Sequence, residues 1–147
     1  MVYKQKVRIK NISLKQAKLV FDDKKFLMHL IRLQPVRVIR WDGTYDGAKA
    51  HMKFWFLFWH DFQVEHKNNK SSDIEFSFED HGHILPFSLK SWRHRHIVKK
   101  DHNDIIILDN IEFKFKKNIL GPFIYPILVF PIFIRRVLYR TFNWSIE

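Results

Sequence analysis

Two neighbouring stretches constrain the fold of this chain more than any others: S-W-R-H-R-H-I-V at residues 91–98 and I-I-I-L-D-N-I-E-F at residues 105–113. Both alternate with the period of a β-strand. Trp92, His94, His96 and Val98 therefore share one face of the first, and Ile105, Ile107, Asp109, Ile111 and Phe113 share one face of the second. Asp101-His102-Asn103-Asp104 between them is rich in turn formers, so the pair reads as a hairpin. With those four residues as the loop, Lys100 opposes Ile105, and counting back sets His96 opposite Asp109. An acid and an imidazole then sit on an otherwise apolar face. Such a face is either a plain core or the wall of a lined cavity.

Residues 2–11 read as a further strand. Ser13-Leu14-Lys15-Gln16 matches a capping box, in which the Ser hydroxyl and the Gln amide satisfy free backbone donors at a helix start. That helix carries Leu14, Ala17, Val20 and Phe21 until Asp22-Asp23 interrupts it. A second short helix, 24–33, carries Phe26, Leu27, Leu30 and Ile31 and ends before Pro35. Period two then returns, with strands expected at 36–41, 47–58, 59–67 and 73–79. The reversal is placed near Leu57–Trp59, although no Gly or Pro marks it. Asn68–Ser72 reads as a loop, and His81–Pro86 as a loop or bulged edge. The apolar face of these strands holds Met52, Phe54, Phe56, Phe58, Phe62, Val64, Ile74, Phe76 and Phe78.

The last element spans 121–143. Asn118–Ile134 is an uncharged run of 17 residues, at the short edge of what a bilayer needs, and it contains Pro122, Pro126 and Pro131. The expectation is a helix packed along the sheet, starting near Pro122 or Pro126 and bent near Pro131. Arg135, Arg136 and Arg140 emerge at its polar end, where cations suit the helix dipole.

Strand, two short helices, about six strands and a long helix is an α+β order rather than a βαβ alternation. At 147 residues without a linker, one domain covering 1–147 is expected. There is no cysteine, hence no disulfide framework, and the N-terminal residues lack a continuous apolar stretch of the secretory kind. A cytoplasmic location is the expectation.

The net charge of +11 is unevenly spread: residues 1–40 hold eleven Lys/Arg against two acids, 41–84 four against eight, and 85–147 eleven against five. Lys4, Lys6, Arg8 and Lys10 alternate with Tyr3, Gln5, Val7 and Ile9, as on the solvated face of a strand. Nucleic acid is therefore not the expected partner, and no recognised nucleic-acid module is visible. G-x-S-x-G, a phosphate-cradling Gly-rich loop and a dinucleotide fingerprint are all missing, and four Gly leave little scope for a phosphate cradle.

The ordered set F-x-D (Phe78, Asp80), Pro86-Phe87, W-x-H-x-H (Trp92, His94, His96), D-x-I-x-F (Asp109, Ile111, Phe113) and Y-R (Tyr139, Arg140) resembles the SRPBCC proteins. These are START-related, pollen-allergen-like helix-grip domains, and the likeness is greatest to small bacterial members described as ligand-binding or cyclase/dehydrase-like. The resemblance implies a curved antiparallel sheet of about seven strands wrapped around a long C-terminal helix, with two short helices after the first strand. It also implies a deep apolar cavity for lipids, polyketides or other hydrophobic molecules, with no cofactor. The chain departs from the pattern at Phe58-Trp59, where small or glycine-containing turns are common. Its 15 Phe and 5 Trp predict a smaller cavity than the family analogy gives.

On this reading Trp92, His94, His96, Asp109, Phe113, Phe56, Phe78 and Tyr125 are the ligand-binding candidates. No catalytic residue is assigned; in an enzyme His96 would serve as base with Asp109 as its orienter. The plainer account is that the two satisfy each other inside the sheet, because buried charged groups need partners. His94/His96 and His81/His83 are H-x-H pairs, but that spacing is weak evidence in a chain with nine His, no Cys and no H-E-x-x-H; no metal site is expected. Arg140 is placed as a polar contact or a salt-bridge partner of Glu79 or Asp80. The function expected is binding or carriage of a small apolar molecule. The alternatives are a cyclase/dehydratase-like enzyme, or a protein that meets an anionic membrane surface or a partner through the basic N-terminal region and the last helix.

Overall fold

Alternation in the sequence becomes one antiparallel sheet of seven strands: β1 (Val2–Ile9), β2 (Val36–Trp41), β3 (Lys49–Phe56), β4 (Phe58–Ser71), β5 (Glu75–Ile84), β6 (Leu89–Asp101) and β7 (Asp104–Phe115). The computed structural model describes residues 1–145. Strand order is β1-β7-β6-β5-β4-β3-β2, so β2 through β7 form a meander and β1 closes beside β7. That leaves β1 and β2 as the edges, and β2 carries a bulge between Val38 and Arg40.

Helices α1 (Leu14–Asp22) and α2 (Lys24–Ile31) carry the chain from one edge to the other. Ser13 Oγ caps α1 by accepting from the Gln16 N–H at 3.1 Å. The box is only half closed, because the Gln16 side chain donates instead to the Trp144 carbonyl and ties down the C-terminal segment. Asp23 ends α1 and caps α2, accepting from the Lys25 N–H at 2.8 Å. A short 3₁₀ turn at 118–120 then leads into α3 (Gly121–Phe133), and α4 (Arg135–Thr141) follows across Ile134. The break thus falls three residues after Pro131, which removes one helical donor and leaves the Ile127 carbonyl without its usual partner.

The expected hairpin register holds, with Lys100 opposite Ile105 and His96 opposite Asp109. Asp101 and Asp104 are themselves paired, so the loop shortens to His102-Asn103. The β3–β4 reversal occurs at Leu57, which has a left-handed φ of +63°. Asn68–Ser72 is not a loop: β4 runs on to Ser71, absorbing a register shift between Lys67 and Lys70 where Asn68 takes φ +54°. His81–Ile84 likewise remains in β5, and the shift opposite Gln63–Val64 is the bulge.

The core has two parts. Val7, Ile105, Ile107, Phe26, Leu138 and Tyr139 pack between the sheet, α1, α2 and α4. Trp92, Ile111, Phe113, Leu128, Val129 and Ile132 pack beneath α3. On β7 the residue between Ile107 and Ile111 on this face is Asp109, and on β6 His94 and His96 lie between Trp92 and Val98. A polar layer therefore divides the core.

The helix seats by one face only: Leu138 is fully buried while its neighbour Val137 is 56% exposed. Leu138→Ala is expected to cost about 2–5 kcal/mol, and Val137→Ala to stay within about 0.5 kcal/mol. Urea unfolding of the two variants measures the contrast; equal losses would contradict this seating of α4.

Candidate functional site

The polar layer is built from strand positions two residues apart on facing strands. Asp109, with no exposed surface, accepts from Gln5 Nε2 at 2.9 Å, His94 Nε2 at 3.0 Å and the Tyr139 hydroxyl at 3.1 Å. Gln5 Nε2 also donates to the Ile132 carbonyl at 2.7 Å, which joins β1 to α3. Asp80, from β5, is the second carboxylate. It accepts from His96 Nε2 at 3.0 Å, and His66 Nε2 lies 3.0 Å from its other oxygen. His96 Nδ1 is 3.2 Å from Asp109, so this ring stands between the two acids. Phe78 stacks on His96 with ring centres 4.5 Å apart, and His94 lies 3.8 Å from His96 on the same measure.

The charges sort themselves by surroundings. Burial pushes both carboxyls up, but the neighbouring histidines outweigh it and hold Asp80 and Asp109 well below the usual carboxylate range. Burial pushes His96 down, yet the charge of Asp80 and the hydrogen bonding of Asp109 and Asp80 leave it raised. His94 goes the other way: burial, then the charge on His96, lower it to about 4 against the pull of Asp109. Tyr139 is raised well above 10.0 by burial and by Asp109. The layer thus holds two carboxylates and a neutral imidazole (His94), with His96 biased toward its protonated form between the two acids. Arg135 supplies a permanent cation, close enough to feel Tyr139, Asp109 and Asp80.

Above this layer, between the sheet, α2 and α3, lies a cavity of about 540 Å³, within the range of small-molecule sites. Its floor is Asp80, His66, His94, His96 and Arg135; its walls are apolar, with Phe54, Phe56, Phe62, Phe78 and Trp92 from the sheet, Leu27, Leu30 and Ile31 from α2, and Pro126, Leu128, Phe130 and Pro131 from α3. Three buried side-chain polar atoms among the described residues have neither a hydrogen-bond nor an ion-pair partner in the protein: Trp41 Nε1, His66 Nδ1 and Arg135 Nε. Every one belongs to a residue that lines this cavity.

Of the residues singled out from sequence, Trp92, His94, His96, Phe56 and Phe78 line the cavity. Asp109 does not; it sits behind the two imidazoles as their support. Phe113 and Tyr125 also lie off the cavity, packed on each other with ring centres 5.7 Å apart. Arg140 turns away, bonding the Arg136 carbonyl, and Arg135 is the arginine that reaches the layer. His81 bonds Glu79 at 2.7 Å, and His83 is exposed. Asp80, His94 and His96 could each turn one donor atom to an ion, those atoms lying within 4.8 Å of one another. In the protein as it stands, the same atoms face each other and Asp109.

Sequence reasoning missed Gln5, His66, Asp80 as a cluster member, and Arg135. The signal was present. Tyr3-Gln5-Val7, Phe62-Val64-His66 and Phe76-Phe78-Asp80 continue the same alternation by one step, and Leu128, Ile132, Arg135 and Tyr139 share a helical face.

A curved sheet closed over a long C-terminal helix is found among solved structures. Truncated norcoclaurine synthase from Thalictrum flavum is similar with a TM-score of 0.65 and 14% identity, over 94% of this chain and 89% of that one. Norcoclaurine synthase from the same organism in complex with dopamine and hydroxybenzaldehyde gives 0.56 and 14%, over 97% and 88%. Ginseng major latex-like protein 151 from Panax ginseng gives 0.55 and 12%, over 97% and 99%. The fold is a helix grip. Identities this low establish shared architecture and nothing finer, and neither a protein-family model nor a curated protein matches the sequence.

Between pH 6.5 and 4 the unfolded chain protonates His94 while the folded chain holds it neutral, so stability falls as pH falls. The loss is on the order of 3 kcal/mol in full. His94→Gln should lose a smaller part of its Tm between pH 7 and 4.5 than the wild type; parallel declines would rule out His94 as the source. Asp109→Asn leaves His94 and His96 with one carboxylate fewer and is expected to cost about 3–5 kcal/mol in urea unfolding.

Proposed function

We propose that this protein binds and carries a small hydrophobic molecule, lipid- or polyketide-like, with its apolar body against the aromatic walls and a polar end on the floor of the cavity. The three unpartnered polar atoms carry this reading. Each buried polar group without a partner costs about 1–3 kcal/mol, and all three cluster around one space instead of being scattered through the core. Trp41 Nε1 and Arg135 Nε are donors, which suits a carbonyl, hydroxyl or carboxylate at the inner end of the molecule. Removal of apolar surface from water supplies most of the affinity, and the floor sets orientation.

A cyclase/dehydratase-like activity is the second reading, and one observation favours it. His94 lines the cavity and stays neutral, with Nε2 donating to Asp109, so its Nδ1 lone pair is open to a substrate hydroxyl, but a pKa of about 4 makes it a weak base. His96, the residue expected for that role, is the more basic of the two, yet both its nitrogens face carboxylates and neither is free to take a substrate proton. That solved norcoclaurine synthase shares the fold is consistent with such chemistry on this scaffold, but fold does not fix activity.

The test uses a fluorescent amphiphile, 1-anilinonaphthalene-8-sulfonate. Its emission is expected to rise on binding, and native mass spectrometry of the purified protein is expected to show a mass that organic extraction removes. Ala50 is buried on the cavity wall; Ala50→Trp fills the space and should weaken the dye by at least about tenfold while the protein stays folded by circular dichroism. Undiminished dye binding by that variant would overturn a site in the cavity.

A further inference from the structure

We propose that the open end of the molecule docks peripherally on an anionic lipid bilayer, with the tip of the β3–β4 hairpin inserted at the interface. Three observations meet at this end. The hairpin overhangs the sheet: β5 ends at Ile84, opposite Gln63, so residues 58–62 of β4 have no β5 partner. Its tip is Trp55-Phe56-Leu57-Phe58-Trp59, every residue exposed, with Leu57 at 76% and Phe58 at 63%. Bare apolar side chains on a protruding turn are the pattern of an interaction surface, and paired tryptophans suit a membrane interface.

The turn itself is the second observation. Leu57 holds φ +63°, a conformation in which Gly or Asn is the unstrained choice. A large apolar side chain stands there despite the strain and with three-quarters of its surface in solvent.

Charge is the third. The segments that form this end, 32–39, 52–62, 84–92 and 113–125, hold seven Lys/Arg against one acid. That acid, Asp61, is already engaged by His51 at 2.7 Å and Lys53 at 3.7 Å. Arg37 lies 4.3 Å over the Trp59 ring, beside the tip, and Lys116 and Lys117 lead into exposed Ile119 and Phe123. An apolar tip at an end of the molecule that carries mostly cations matches an anionic headgroup layer over acyl chains. The lysines of β1, by contrast, are spread along an edge strand with no apolar tip among them. Trp55, Phe56 and Phe130 also line the cavity, so the docked face surrounds its mouth.

Co-sedimentation with large unilamellar vesicles tests the proposal. Full-length protein is expected to pellet with phosphatidylcholine/phosphatidylglycerol vesicles at low salt, far less with phosphatidylcholine alone, and progressively less as NaCl is raised. The Leu57→Asp/Phe58→Asp double variant changes two exposed side chains and should bind at least about tenfold more weakly; Lys116→Glu/Lys117→Glu should weaken it as well. Dye binding by the double variant should match the wild type, which separates failure of docking from failure of the cavity reading. No pelleting at low salt, or equal pelleting by the double variant, would overturn the proposal. So would membrane association that resists alkaline carbonate, which would instead make Gly121–Thr141, a helix long and apolar enough to cross a bilayer, an integral span. A concentration-dependent dimer abolished by the double variant, without vesicle binding, would assign the tip to self-association and overturn it too.

Discussion

A carboxylate with no exposed surface has to be surrounded by donors, and Asp109 imposes that condition on three elements at once. Gln5 brings β1, His94 and His96 bring β6, and Tyr139 brings α4, each through a contact of 2.9–3.2 Å. A one-residue slip of β7 would turn Asp109 out and push Leu108 or Asn110 into its place, leaving Gln5, His94, His96 and Tyr139 without their acceptor. Buried ion networks of this sort contribute little net stability against an apolar replacement, but they penalise wrong arrangements heavily. Apolar residues alone would allow α3 and α4 to slide along the sheet. The Gln5 bond to the Ile132 carbonyl and the Tyr139 bond to Asp109 fix both axial position and rotation.

The cavity is a consequence of where that layer sits. It separates the core under α1, α2 and α4 from the one under α3, and the void opens between them, bordered by Phe26 and Leu30 of the first and Trp92 and Leu128 of the second. The wall there is a proline-interrupted helix: Pro126 and Pro131 both line the cavity and neither donates a backbone hydrogen bond. Aromatic bulk did not fill the space, because Phe54, Phe56 and Phe62 stand on a hairpin that overhangs the sheet and no helix covers that hairpin's full length.

Much of this was legible in the residues. Period two gave the strands, and a turn-rich tetrad gave the register that sets His96 opposite Asp109, because register depends on counting alone once the turn is located. The α+β order followed from the succession of periods, and the helix-grip architecture from the resemblance carried by the short motifs. What the pattern could not provide was the diagonal contact. His94, two residues from the direct partner of Asp109, bonds it at a shorter distance than His96 does, and His96 is drawn toward Asp80 on the other neighbouring strand. Side chains on a twisted sheet lean along the strand, so the nearest cross-strand neighbour is not always the one directly opposite. Asn68–Ser72 misled for a related reason: a polar, turn-like composition can sit in a strand when a bulge relieves the register. The choice between Arg135 and Arg140 depended on where the helix broke, and Pro131 marks that only to within a turn.

The two free strands also bear on how copies of this protein meet. An open sheet with unpaired edges is a template for further strands, and β1 and β2 are both long enough to accept one. Lys4, Lys6, Arg8 and Lys10 run along or just beyond β1, and Arg37 and Arg40 flank the bulge in β2. The two borders therefore carry charge of the same sign, so joining the first edge of one molecule to the last edge of another brings cation against cation. Part of the net +11 accordingly serves as a guard against filament growth, independent of whatever the open end of the molecule contacts.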